Sequence, residues 1–255
     1  MKIRLSIYSM ILALMLALVS CTPHSEKELS ECIDADLQSD TILGVTEDMG
    51  DGYIDSLIFV GESTTYHMKD REVLSGGKQT RQIWAPKCGT MTLDMSSTAI
   101  DILYPETNEL MTIAEASARA NPKFIVFTFG LNGAVQNIRR GEEYYKKCYR
   151  ALILSVRCAS PETRIIIQSA PPIARNMDMK NYTVTAEELR DHIDTINSWS
   201  CSLAEELGVR YLNTSEVLKN ADGFLIEDFD VGDGHHLNAE AYRKMLEYIR
   251  THGYK

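Results

Sequence analysis

Positive charge is scarce in this sequence: 26 lysines and arginines stand against 36 aspartates and glutamates, for a formal net charge of −10. No basic patch offsets that balance, so nucleic acid is excluded as a partner on electrostatic grounds. Long apolar runs are scarce too. The run Leu5 to Val19 is shorter than the ~20 residues a membrane-spanning helix needs. Internal repeats and low-complexity blocks are absent, which excludes solenoids and extended linker arrays.

What is present begins with an address. Lys2 and Arg4 precede the apolar run, the layout of a secretory signal that is removed. The run closes on Leu18-Val19-Ser20-Cys21, which resembles the lipobox of bacterial lipoproteins, whose cysteine is lipidated and becomes the new first residue. Each buried methylene contributes about 0.8 kcal/mol, and a multiply acylated Cys21 would hold the protein on the outer face of the bacterial cell membrane without any spanning helix. Residues 1–20 are thus expected to be a signal peptide and residues 21–55 an acidic, flexible tether. Thr22 to Asp55 carries Glu26, Glu28, Glu31, Asp34, Asp36, Asp40, Glu47, Asp48 and Asp51 against Lys27 alone, and it has few large apolar residues to offset its ordering entropy.

Ser56 to Lys255 leaves about 200 residues, enough for one domain with a sizeable core. Apolar, β-forming runs recur at Leu57–Val60, Phe124–Phe129, Arg164–Gln168 and Val209–Leu212, with a weaker one at Arg81–Trp84. Helix-period segments lie between them. Glu142–Cys158 is one, and Ala186–Leu207 is another, where Leu189, Ile193, Ile196, Leu203 and Leu207 trace one face behind a Thr185/Glu188 capping box. A Thr112/Glu115 box opens a short helix that closes before Pro122. Strands alternating with helices predict a parallel sheet covered on both faces.

If Cys21 carries lipid, Cys32, Cys88, Cys148, Cys158 and Cys201 remain, an odd number that cannot all pair internally. Cys148 and Cys158 share one helix, and ten residues separate them by ~15 Å, too far for a bridge. Cys158 can reach Cys201 from a neighbouring helix. Most of these thiols are expected to act as small buried hydrophobes.

Four stretches place reactive side chains at the ends of these elements. The first strand stops at Gly61 and delivers Ser63 into the crevice where ligands bind open α/β sheets. Lys87-Cys88-Gly89-Thr90 offers a glycine N–H with no side chain in the way. Asn132 emerges just past the most apolar strand, where an amide can serve a turn or donate to an oxyanion. Asp233 and His236, three apart before the closing helix Ala239–Arg250, can sit side by side, so that the carboxylate fixes the imidazole tautomer.

In this order the blocks Gly61-Glu62-Ser63, Gly89, Gly130-Leu131-Asn132 and Asp233-Gly234-His235-His236-Leu237 resemble those of the SGNH, or GDSL-type, serine hydrolases over nearly all of Ser56–Lys255. The resemblance implies a three-layer α/β/α sandwich, flavodoxin-like, with a mainly parallel sheet of about five strands. It assigns Ser63 as nucleophile, His236 as general base and Asp233 as its partner. The Ser63 N–H, the Gly89 N–H and the Asn132 side chain would form the oxyanion hole. Two positions depart from the family pattern: Glu62 replaces the usual Asp, and Gly133 follows Asn132 where many members have Asp.

Other chemistries fit less well. Gly61–Thr65 lacks the closing glycine of the Gly-x-Ser-x-Gly elbow, and Ser75-Gly76-Gly77-Lys78 has neither the spacing nor the strand of a phosphate loop. A calcium-loop frame started at Asp228 fails at Ala239, where its bidentate Glu belongs. Adjacent His235 and His236 seldom both point at one zinc ion. The expected protein is therefore a lipid-anchored, extracytoplasmic ester hydrolase that uses an acyl-serine and no metal or cofactor. Its substrate would be a small-molecule or glycan ester such as an O-acetyl group. A lysophospholipase, a general carboxylesterase or an O-acyltransferase is the nearest alternative, and a silent glycan- or protein-binding domain is the alternative of another class.

Overall fold

The computed structural model describes residues 41–255, so the expected signal peptide, Cys21 and Cys32 lie outside the described residues. Among the described residues seven strands form: β1 (Leu57–Gly61), β2 (Ile83–Trp84), β3 (Asp101–Leu103), β4 (Leu110–Thr112), β5 (Phe124–Thr128), β6 (Arg164–Gln168) and β7 (Arg210–Leu212). Five of them make one sheet in the order β2-β1-β5-β6-β7. Every neighbouring pair in it is parallel. The short β3 and β4 form a separate antiparallel ribbon, which no alternating apolar pattern announces.

Parallel strands need both faces covered, and the helices supply the cover. These are α1 (Asp51–Asp55), α2 (Ser63–Asp70), α3 (Ile113–Ala120), α4 (Ala134–Arg140), α5 (Glu142–Ala159), α6 (Ala186–Leu207) and α7 (Ala239–Thr251). All of β5 is buried because its alternate side chains enter two different cores. Phe124 and Val126 pack with Leu57, Phe59, Ile166 and Leu212 beneath α1, α2 and α7. Ile125 and Phe127 point the other way, beneath α3, α5 and α6. Each such side chain contributes roughly 1.5–3 kcal/mol by leaving water. The result is a three-layer α/β/α sandwich.

Local signals fix the helix ends. Thr112 with Glu115 and Thr185 with Glu188 both form full capping boxes. Leu189, Ile193, Ile196, Leu203 and Leu207 all lie on the buried face of α6. Asn121, left-handed at φ 43, ends α3 just before Pro122.

Two expectations change. The tether was expected to run to residue 55, but residues 41–55 belong to the folded domain. Leu43 N–H donates to the Tyr211 carbonyl at 2.8 Å and Tyr211 N–H to the Thr41 carbonyl at 2.8 Å, which extends the β7 edge. Tyr53 and Ile54 of α1 are buried, and the Tyr53 ring meets Phe124 edge-on at 5.5 Å. A few well-placed apolar residues are enough when a sheet edge and a helix are there to receive them. The thiols also differ: among the described residues Cys148 alone is fully buried, while Cys158 and Cys201 are half-buried and Cys88 is exposed, and Cys201 is a free thiol.

Candidate active site

The site lies at the carboxyl ends of β1 and β5. A Cβ on Gly61 would stand 2.4 Å from both the Thr128 carbonyl oxygen and Thr65 Oγ1, so only glycine lets the two strands and α2 meet this closely. The chain then turns through Glu62, and Ser63 becomes the first residue of α2. First-turn N–H groups have no partner inside a helix. That of Ser63 donates instead to Thr90 Oγ1 at 3.1 Å.

Glu62 does not cap its own helix. Its carboxylate crosses to the end of β5 and accepts the N–H groups of Gly130 at 3.0 Å and Leu131 at 3.1 Å. Burial pushes its pKa up to about 7, against the Gly130, Asn132 and Leu131 N–H groups that hold it down. The departure from the usual Asp therefore ties the first block to the third. Gly130 is also constrained, with φ 141 and a Cβ position 2.8 Å from Ile196.

The turn so held presents Asn132, whose Nδ2 donates to Thr90 Oγ1 at 3.0 Å and to the Met91 carbonyl at 3.2 Å. Two of the expected oxyanion donors thus converge on one oxygen, the hydroxyl of Thr90. Gly89 does not join them. Its N–H closes a turn on the Pro86 carbonyl at 2.8 Å, and at its φ of 78 an added Cβ would stand 3.0 Å from the Tyr66 ring. This corrects the expectation of a Gly89 donor, because the turn that exposes the loop uses that N–H internally.

His236 Nε2 stands 2.9 Å from Ser63 Oγ, and His236 Nδ1 stands 2.7 Å from Asp233 Oδ2. Asp233 Oδ1 also accepts the backbone N–H of His235 at 3.0 Å and of His236 at 2.9 Å. Burial raises the Asp233 pKa, but these N–H groups and the His236 imidazole more than reverse it, to about 2. A carboxylate that stays ionised can hold an imidazolium. The loop is pinned to the segment that follows β6 by the Ala174 N–H on the Gly234 carbonyl at 2.8 Å, and α7 is tied to α2 by Tyr242 Oη on the Thr64 carbonyl at 2.5 Å.

Two further side chains lie beside the His236 ring. His235 packs against it at 4.0 Å between centroids, and His67 at 4.3 Å. His67 Nδ1 is buried with no hydrogen-bond partner among the described residues. Burial, then the neighbouring His236, lower the His67 pKa. The sequence reading missed His67 and Thr90. One helical turn separates Ser63 from His67, a spacing that puts both on one face of α2 and could have drawn attention to it.

The sequence model of the GDSL-like lipase/acylhydrolase family matches residues 59–244, from inside β1 to inside α7, and so takes in every residue just described. The chain belongs to this family. As a GDSL-like acylhydrolase it is a serine hydrolase acting on ester bonds. No curated protein matches its sequence. Among solved structures, a protein described as lipolytic and of the G-D-S-L family, from Desulfitobacterium hafniense DCB-2, is similar over 76% of this chain and 97% of its own, at 15% identity and a TM-score of 0.51. A protein described as a platelet activating factor from Streptococcus pneumonia is similar over 96% of this chain and 97% of its own, at 14% identity and a TM-score of 0.49. The M. smegmatis aryl esterase is similar over 76% and 95%, at 13% identity and a TM-score of 0.49. At such low identities the likeness to the first of these concerns the fold of the GDSL-like acylhydrolases and nothing finer.

Proposed function

We propose that this acylhydrolase is a lipid-anchored, extracytoplasmic esterase that removes short acyl groups, such as O-acetyl groups on glycans, through an acyl-serine. The observation that carries the chemistry is the alignment of Ser63 Oγ, His236 and Asp233 within hydrogen-bond reach of one another. In the first half-reaction Ser63 Oγ attacks the ester carbonyl while His236 Nε2 takes its proton, and Asp233 stabilises the imidazolium. The carbonyl oxygen becomes an oxyanion between the Ser63 N–H and Asn132 Nδ2, the place the Thr90 hydroxyl holds in the free enzyme, so Thr90 rotates aside as substrate enters. His236 returns the proton to the leaving alcohol. Water, activated by the same imidazole, then breaks the acyl-serine ester.

The test is a panel of aryl esters of increasing acyl length, run beside acetylated glycans, with Ser63→Ala as control. Wild type is expected to turn over acetyl and other short esters fastest, and Ser63→Ala to lose that turnover. A rate that climbs steadily with chain length would replace this reading with a lysophospholipase or lipase.

The location rests on the basic start, the apolar run and Cys21, all outside the described residues. Cys21→Ser is expected to move the protein from membrane to soluble fractions, or to stall its processing, while hydrolysis in solution persists. Normal processing with unchanged membrane retention would remove the lipid anchor from the reading.

A further inference from the structure

A cavity of about 470 Å³ opens beside the site, with Asn132 and His235 in its lining. Gln136, Arg139, Asn181 and Tyr182 line it as well, and none of its lining residues is an aspartate or glutamate. In a chain with a net charge of −10, that absence is informative. Arg119, Arg150, Arg175, Arg190 and Arg250 each pair with a carboxylate. Arg139 pairs with none among the described residues; its Nη2 donates to Thr183 Oγ1 at 2.9 Å, which steadies the guanidinium and leaves its other N–H groups for a ligand. A fixed guanidinium presents parallel donors that match a carboxylate bidentately. Tyr182, 39% exposed, adds an amphipathic ring to the lining.

The cavity is larger than an acetyl group requires, and its polar wall gives an alkyl chain little to bury against. The part of the ester that fits is therefore a polar alcohol. We propose that this cavity binds the alcohol portion of the substrate and that Arg139 takes an anionic group on it, so that the enzyme prefers short acyl esters of acidic sugars to those of neutral ones. The proposal rests on the esterase reading above and adds its substrate class. Arg139 acts here in binding, away from the reacting atoms.

The experiment compares O-acetylated methyl glucuronide with O-acetylated methyl glucoside, which differ at the carboxylate. Wild type is expected to favour the acidic ester by about tenfold or more in kcat/KM, mainly through KM, as expected for a charge-assisted contact made equally in ground and transition states. Arg139→Ala should bring that ratio close to one, Arg139→Lys should recover part of it, and Arg139→Glu should invert it. Added salt should narrow the wild-type ratio, because a partly exposed ion pair is screened. Equal kcat/KM for both esters in wild type, or a ratio that Arg139→Ala leaves intact, overturns the proposal. Failure of the esterase reading looks different: 4-nitrophenyl acetate would then be hydrolysed no faster by wild type than by Ser63→Ala. In that event calorimetry with methyl glucuronide itself decides the subsite, since binding by wild type that Arg139→Ala weakens supports it and equal or absent binding overturns it.

Discussion

His236→Ala is expected to abolish ester turnover and the labelling of Ser63 by a fluorophosphonate, while His235→Ala retains substantial turnover. The two histidines are adjacent in sequence and their rings touch at a 45° tilt, yet their nitrogens face different partners. His236 spans the 2.9 Å to Ser63 Oγ and the 2.7 Å to Asp233 Oδ2. The His235 ring turns its Nδ1 to the Asp233 backbone carbonyl at 3.3 Å and borders the cavity beside Asn132. Without His236 the serine has no acceptor for its proton, a loss on the order of 10⁴-fold or more where such a base acts with its serine as a unit. Without His235 the base loses one packing neighbour and Asp233 keeps both backbone N–H donors. The pH profile gives the sign: the base must be unprotonated, so wild-type kcat/KM should fall on acidification. Asp233, held near a pKa of about 2, stays ionised well below neutrality and contributes nothing to that fall. Folded variants in which His236→Ala is active and His235→Ala is not would reassign the base.

The parts of this molecule that sequence alone displays are those whose physics is local. Phe124–Phe127 of β5 reads as an unbroken apolar run because a parallel strand buried on both faces sends side chains from both of its sides into apolar cores. The two capping boxes are legible because donor and acceptor lie three residues apart. Ser63, Asn132, Asp233 and His236 stood out because each follows the end of a strand or precedes a helix, where side chains can meet. What stayed hidden depends on partners distant in sequence. Residues 41–43 become part of the fold only because the β7 edge at Tyr211 is open to them. The N–H of Gly89 looked available in a loop, and only the turn to Pro86 shows that it is used. Glu62 read as a minor departure from a motif. Its partners, Gly130 and Leu131, lie well over half a hundred residues away.

That link sets the expectation for Asn132→Ala, a fall in kcat of about a hundredfold or more with little change in KM or Tm. One preorganised donor aimed at a developing oxyanion typically contributes ~3 kcal/mol in the transition state, and the ground-state carbonyl feels much less of it. Glu62 provides the preorganisation, since its carboxylate fixes the Gly130 and Leu131 N–H groups immediately before Asn132. Glu62→Gln keeps the shape but replaces one accepting oxygen by a donor, so kcat should fall with KM nearly unmoved, and less steeply than in Asn132→Ala. The stability readout runs the other way. Because the folded pKa of about 7 lies above the ordinary 4.5, the native state holds this proton more tightly than the unfolded chain. The group's contribution to stability is therefore fully present below the unfolded value and is lost as pH rises through the folded one. Glu62→Gln cannot ionise and should remove that pH-dependent loss, while one N–H left facing the amide costs about 1–3 kcal/mol at every pH. A role confined to packing predicts that Tm alone responds to Glu62→Gln. Positioning of Asn132 predicts that kcat falls as well, and that adding Glu62→Gln to Asn132→Ala costs little further kcat, because the donor it positions is already gone. Additive losses in that double variant would separate Glu62 from Asn132, and an Asn132→Ala enzyme within a few-fold of wild type would return Asn132 to the role of a turn residue.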